Sequence, residues 1–276
     1  MRRNRARTVL IATLQGILAL WTIFPFYWML ATSLKPNREI YGATARLIPS
    51  AVTLQHWREL FTQSAFPLNF RNSVIISLAT AALSMLVGSL AAYAIARLQF
   101  RGRALAARSL IYSYLVPPTL LFIPLFQLLQ TFHLVNSLQG LILADLTFTV
   151  PFCTWLLVGY FKTVPAELEE AALVDGCTRL TTLFRITLPL SAPALVVVAL
   201  FSFTLSWNEF LYAIVFNTDR NVQPVTAGLT GMAAEDVYFW GRMMAAASLG
   251  SLPPIVLYTL AQRWVVQGLT LGGVKG

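Results

Sequence analysis

The residues able to do chemistry are few, and their spacing excludes most kinds of it. The two histidines, His56 and His133, and the two cysteines, Cys153 and Cys177, stand far apart, so no metal-ligand spacing is present. No nucleophile triad and no acid–base pair is evident. There is no Gly-x-x-x-x-Gly-Lys-Ser/Thr loop to cradle nucleotide phosphates, so this chain is not expected to hydrolyse ATP by that route. What remain are acids in unusual settings. Asp145 and Glu209 fall inside apolar runs, where an ionisable side chain is a functional candidate by default. Glu209 is flanked by Trp207, Asn208 and Phe210. An acid and an amide can hydrogen-bond a polar ligand, and aromatic rings can stack on one. Two readings stand for each acid. Asp145 lines a solute cavity or caps a bent helix. Glu209 lines an outer gate or snorkels to the interface. The third acidic place is a polar segment at 162–189, read below.

The elements that hold these residues follow from composition. The chain has 276 residues, 57% hydrophobic and 11% charged, against about 25% charged in a soluble domain. Mean hydropathy is +0.67. Too little polar surface is available for a water-soluble globule, so an all-α integral membrane protein is expected. A bilayer core of about 30 Å needs about 20 apolar residues per helix. Six stretches qualify: Val9–Leu30, Ser73–Ile95, Leu110–Leu129, Leu138–Phe161, Ala192–Ile214 and Met244–Ala261. The first is too long and bulky for the apolar core of a cleaved signal and is read as a retained helix behind a basic stretch at 1–8. The net charge is +9. The basic residues flank apolar runs instead of gathering on one face, which argues against nucleic acid as partner and for membrane orientation. With the N-terminus inside, most of them fall in cytoplasmic segments, led by Arg97, Arg101, Arg103 and Arg108 in one short loop. Both termini are then cytoplasmic. Ser84, Gly88, Ala92 and Ala96 form a small-residue stripe of the kind that lets membrane helices approach. Pro117, Pro118, Pro124, Pro151, Pro253 and Pro254 are expected to interrupt or bend spans.

Between the fourth and fifth spans lies the polar segment. Pro165 suits a first helical turn, and Glu167, Glu169 and Glu170 complement the helix dipole. Gly176 suits a left-handed terminator, and Thr178 a second N-cap. Leu180, Leu183, Phe184 and Ile186 give a second helix an apolar side, which Pro189 ends. Two short helices at an angle are therefore expected, presenting Glu170 beside Ala171 and Ala172. They form either a docking element or a solvated interfacial hairpin.

Glu170-Ala171-Ala172, then Gly176, then Ile186 and Leu188-Pro189 resemble the EAA loop of permease subunits of binding-protein-dependent ABC importers. The likeness to MalG-like carbohydrate permeases covers nearly the whole chain. It includes Pro25-Phe26, Thr32-Ser33-Leu34-Lys35-Pro36, Asn72-Ser73, Ala91-Ala92-Tyr93-Ala94 with Arg97, Phe100-Arg101-Gly102, Pro151-Phe152, Ser206–Phe210 and the tail from Gln267 to Gly276. In the loop, Cys177 stands where a small residue is common. The resemblance implies a type I ABC importer permease fold of six transmembrane helices over 9–276, with a cytoplasmic coupling loop at 162–189 and a cytoplasmic tail at 264–276. It implies a second, MalF-like permease, two ABC ATPase subunits and an extracytoplasmic solute-binding protein as partners. ATP and Mg would sit on the ATPase subunits, with no cofactor on this chain. It assigns ATPase docking to Glu170, Ala171, Ala172, Asp175, Gly176, Ile186, Leu188 and Pro189, and a tail contact to Lys275. A sugar or oligosaccharide is the implied solute. Glycerol 3-phosphate or a glycerophosphodiester is the alternative within the class. An ion-coupled carrier using Asp145 and Glu209 is the alternative outside it, against which no repeated pair of broken helices is visible.

Overall fold

The computed structural model describes residues 2–233 and 239–273. Every regular element among the described residues is helical. In chain order they are α1 (Arg2–Ser33), α2 (Asn37–Ile40), α3 (Gln55–Thr62), α4 (Phe66–Arg97), α5 (Arg103–Leu115), α6 (Pro118–Thr131), α7 (Leu138–Phe161) and α8 (Ala166–Val174). Then come α9 (Arg179–Thr182), a π-helical turn at Leu183–Thr187, α10 (Leu188–Leu190), α11 (Ala192–Trp207), α12 (Leu211–Phe216), α13 (Val225–Ala233) and α14 (Trp240–Gly273). The segments Arg7–Ser33, Phe66–Arg97, Leu138–Phe161 and Trp240–Trp264 are each long and apolar enough to cross a bilayer. A fifth is reached if the run Arg179–Leu190, bent by 85° against Ala192–Trp207, counts as one broken span.

The expected third and fifth spans thus differ from the continuous helices that apolarity alone predicts. Leu110–Leu129 is split between α5 and α6, with Val116 and Pro117 extended (ψ 118° and 128°). The tandem Pro117-Pro118 is the cause. Each proline drives the residue before it out of the helical region and removes an N–H from the ladder. Ala192–Ile214 is split at Asn208–Phe210 between α11 and α12. Pro253 and Pro254, by contrast, do not break α14.

The chain forms two compact units. One comprises residues up to 67 with 228–252, and the other 68–227 with residues from 253 onward. In the first, α1 turns its apolar surface away from the chain. None of its apolar window is buried, and Trp21 is 80% exposed, as a helix facing lipid or another subunit must be. The segment after α1 folds back on itself. Lys35 is buried, with its Nζ donating to the Arg46 carbonyl at 2.6 Å and lying 4.2 Å from the Trp28 ring centroid. His56 Nε2 meets the Lys35 carbonyl at 2.9 Å, and Gly241 passes against the His56 ring where a Cβ would collide.

In the second unit α7 is the central post, with α5 and α11 packed on it. Its buried positions Asp145, Thr149, Cys153, Leu157 and Phe161 recur every fourth residue, so one face is inward along its length. The small-residue stripe of α4 is what meets it. A Cβ on Gly88 would stand 3.3 Å from the Cys153 Cβ and 3.5 Å from the Thr154 nitrogen. Ala92, Tyr93 and Ala96 continue the contact into a cluster with Leu157, Phe161, Leu183 and Val198. Polar clasps supplement this packing, as expected where lipid gives helices no hydrophobic drive to associate. Ser84 pairs with Thr149 at 2.7 Å and Cys153 with Ser202 at 2.9 Å, while the Ser206 hydroxyl donates to the Asp145 carboxyl. At the start of α4, Asn69 and Asn72 donate to the Gln223 and Asn221 carbonyls (2.9 and 2.8 Å), and Ser73 Oγ accepts from Val225 N at 2.8 Å. Asn72-Ser73 therefore fastens the loop that follows α12.

Candidate functional site: the 162–189 loop and its anchorage

The loop folds as two short helices divided at Gly176. Residues Ala166–Val174 follow Pro165, whose ψ of 131° places it just outside the helix. The end of α8 is closed by the pair of bonds that defines a glycine-terminated helix. Cys177 N donates to the Ala172 carbonyl at 2.9 Å, and Gly176 N to the Leu173 carbonyl at 3.2 Å. Gly176 has φ of 89°, left-handed backbone that an L side chain rarely adopts. Thr178 caps α9 by accepting from Thr181 N at 3.2 Å. Pro189 does not end the second helix, as the sequence led us to expect; the helical run reaches Leu190 and bends at Ser191. A proline ring crowds the carbonyl four residues earlier, here Arg185, and the chain answers with the wide π turn at 183–187. Pro193 then withholds the N–H that would carry the ladder across Ser191.

The helical phase of α8 sorts its acids. Glu170 is exposed, as are Ala171, Asp175, Gly176 and Pro189. Leu168, Val174, Leu180 and Phe184 are exposed in the same short stretch, Val174 by 87%. An acid with small and apolar neighbours in the open is a surface suited to a basic, partly apolar partner. Ala172 is buried, which corrects its expected place at the partner contact. It lies three residues after Glu169, on the inward face. Ile186 and Leu188 are half-buried; they support the surface more than they present it. Lys275 lies outside the described residues.

Sequence reasoning treated Glu169 as one more dipole-complementing acid. It is 3% exposed and holds the loop to the spans. Arg97 Nε donates to its Oε1 at 3.0 Å, and Thr187 Oγ1 donates to the same oxygen at 2.9 Å. Arg97 also donates through Nη2 to the Val164 carbonyl at 2.6 Å. One carboxylate thus joins α8 to the last residue of α4 and to the π turn that leads into α11, and its arginine reaches the segment just after α7. The one sequence signal was Arg97, a basic residue at the end of a span, which does not by itself say which acid it meets.

The second group of expected site residues is placed differently from the sequence reading. Asp145 is 1% exposed, about two turns into α7. It neither caps a helix nor faces an open cavity but is enclosed with Ser206 and Thr80, and its Oδ1 has no hydrogen-bond partner. Trp207 is also buried, stacked on Phe203 (centroids 5.5 Å apart) and edge-on to Phe70 (5.6 Å); it is a core residue and not a stacking platform for solute. Glu209 neither snorkels nor points free. Its carboxylate accepts from Tyr212 N and Ala213 N, both at 2.9 Å, at the start of α12. Asn208 and Phe210 are exposed, with Asn208 Nδ2 donating to the Thr204 carbonyl at 2.8 Å.

Membrane-length helices with an exposed, acid-bearing helical loop between α7 and α11 define a multi-pass membrane protein with a folded polar element outside its spans. Residues 84–271 match the family described as binding-protein-dependent transport system inner membrane component, and the chain belongs to that family. It is 37% identical over 257 residues to the inner membrane ABC transporter permease protein YcjP of Escherichia coli, covering 92% of each chain. It is 33% identical over 281 residues to the trehalose/maltose transport system permease protein MalG of Thermococcus litoralis, covering 100% of both. The fold matches a chain of the crystal structure of a bacterial ABC transporter involved in import of the acidic polysaccharide alginate. The TM-score is 0.83, at 20% identity, over 96% of this chain and 98% of that one.

Proposed function

We propose that this chain is the MalG-like half of the membrane path of a sugar or oligosaccharide importer, driven through the 162–189 loop by a separate ATPase. The carrying observation is the division of labour on α8. Glu170 faces out on a folded, glycine-terminated helix while Glu169, one residue away, is anchored inward. The sugar reading is supported by the relatives of the chain, among them the trehalose/maltose permease of Thermococcus litoralis. A six-span arrangement is supported by the apolar run that α5 and α6 share and by the broken fifth span. In the proposed orientation both termini and the loop lie in the cytoplasm, as the cluster Arg97–Arg108 favours. The membrane portion covers 9–276 behind the basic 1–8, with the cytoplasmic tail at 264–276.

The proposed assembly adds a second, MalF-like permease, two ATPase subunits that hold the ATP and Mg, and an extracytoplasmic solute-binding protein. Each ATPase subunit receives one such loop. Glu170 accepts hydrogen bonds from its basic side chains, Ala171 allows close approach, Asp175 adds charge and Lys275 makes a further contact. Closure of the ATPase dimer favours the outward-facing state to the extent that it grips the loop more tightly in that state. Exposed Asn208 and Phe210 are the residues proposed to meet solute. Reversing the charge with Glu170→Arg tests the reading. The ATPase that copurifies with the unaltered permease should be lost while the helical content of the chain is unchanged. Retention of the ATPase in full ratio would refute the docking assignment.

A further inference from the structure

We infer that Glu169 is a positioning residue for energy coupling, the joint through which movement of the gripped loop reaches the spans. The inference rests on the reading of Glu170 as the gripped residue. A docking surface can drive a membrane helix only if something stiff connects them, and the peptide links at either end of the loop are poorly suited to this. On one side the chain leaves α7 through the short turn at Lys162–Pro165. On the other it passes the π turn and the 85° bend at Ser191. Bends and π turns are where helices give way. Glu169 bypasses the Lys162–Pro165 turn and the π turn, and through Arg97 it reaches α4 directly.

Its Oε1 takes two donors from different elements, Arg97 at the end of α4 and Thr187 at the end of the π turn. The guanidinium, through its second contact on the Val164 carbonyl, also fixes the α7 side. The cluster is shielded: Glu169 and Thr187 are buried and Arg97 is mostly covered. Charge-assisted hydrogen bonds are short and strong, and in a low-dielectric surrounding they are screened little. The loop, the end of α4 and the end of the π turn therefore move as one body.

The test follows two nitroxides in the assembled transporter, this chain with its partner subunits, in a Cys177→Ser background. One replaces exposed Leu180 on the loop and the other exposed Phe100 just beyond α4, through Leu180→Cys and Phe100→Cys. Mg·ATP with vanadate traps the closed ATPase. In the unaltered site the distance between labels should stay constant on trapping. In Glu169→Gln and Thr187→Val it should shift by more than the ~1–2 Å of ordinary helix displacements, with the ATPase still copurifying in full ratio. Thr187→Ser keeps the hydroxyl and should behave as the unaltered chain, although Val is the closer match in shape. A constant distance in Glu169→Gln and Thr187→Val overturns the inference. So does a shift in Thr187→Ser without one in Thr187→Val, which would mean that packing alone matters. Loss of the ATPase from Glu169→Gln also overturns it, making Glu169 part of docking. Absence of the ATPase from the unaltered chain would instead bring down the importer reading itself.

Discussion

Removing the Ser206 hydroxyl should cost more than removing any other clasp between the central helices. Among the described residues, the clasps on α7 include Ser84 with Thr149, Cys153 with Ser202, and Ser206 with Asp145. Hydrogen bonds between helices in lipid average about 0.6 kcal/mol and reach about 1.7. Ser84→Ala should therefore cost roughly 0.6 kcal/mol, because Thr149 retains its own bond to the Asp145 carbonyl at 2.9 Å. Ser206→Ala is different in kind. The Asp145 Oδ1 already has no partner, so the variant strands both oxygens of a residue that is 1% exposed. Leaving a buried acceptor unsatisfied costs about 1–3 kcal/mol, whereas removing both partners can be nearly neutral. The double variant Asp145→Val with Ser206→Ala should thus recover most of the loss. Equilibrium unfolding of the purified chain in mixed micelles, titrated with SDS, gives all three values on one scale. If Ser206→Ala proves no more costly than Ser84→Ala, or if the double variant is the least stable, the account of Asp145 as an enclosed packing residue fails.

Two further outcomes are expected. Glu209→Ala should destabilise the chain by about 0.5–2 kcal/mol, the usual worth of a helix cap, since two amides of α12 lose their acceptor. Glu209→Gln, which keeps one acceptor oxygen, should cost less in the same unfolding assay. Outside the spans, burial pushes the Glu59 carboxyl up, but hydrogen bonds from Gln55 and Arg242 outweigh it and hold the group below its ordinary value of 4.5. A lowered folded value means that the stabilisation, about 1 kcal/mol or less for a partly exposed pair, is fully present above that range and is lost as pH falls through it. The melting difference between the unaltered chain and Glu59→Gln should therefore shrink on acidification. A difference that grew would contradict the sign.

The helices and the loop were legible because their signals are local. Apolar runs mark spans, Gly176 and Thr178 mark a stop and a start, and the stripe of Ser84, Gly88, Ala92 and Ala96 marks a close contact. The same locality explains what was misread. Trp207 is an aromatic beside an acid in the sequence, but its helix turns it against Phe203 and Phe70. Pro189 reads as a terminator, yet a π turn absorbs it and leaves the bend to Ser191.

Which of two adjacent acids faces out is a question of phase, and the phase is set by what packs beneath. Sequence alone determined that this is a chain of apolar helices with an acidic, glycine-divided loop between two of them, because hydrophobic length and turn chemistry act over a few residues. Tertiary structure alone decided that Glu170 faces out while Glu169 is bound to Arg97 and Thr187. Those partners lie 72 and 18 residues away, and only the folded chain brings them to one oxygen.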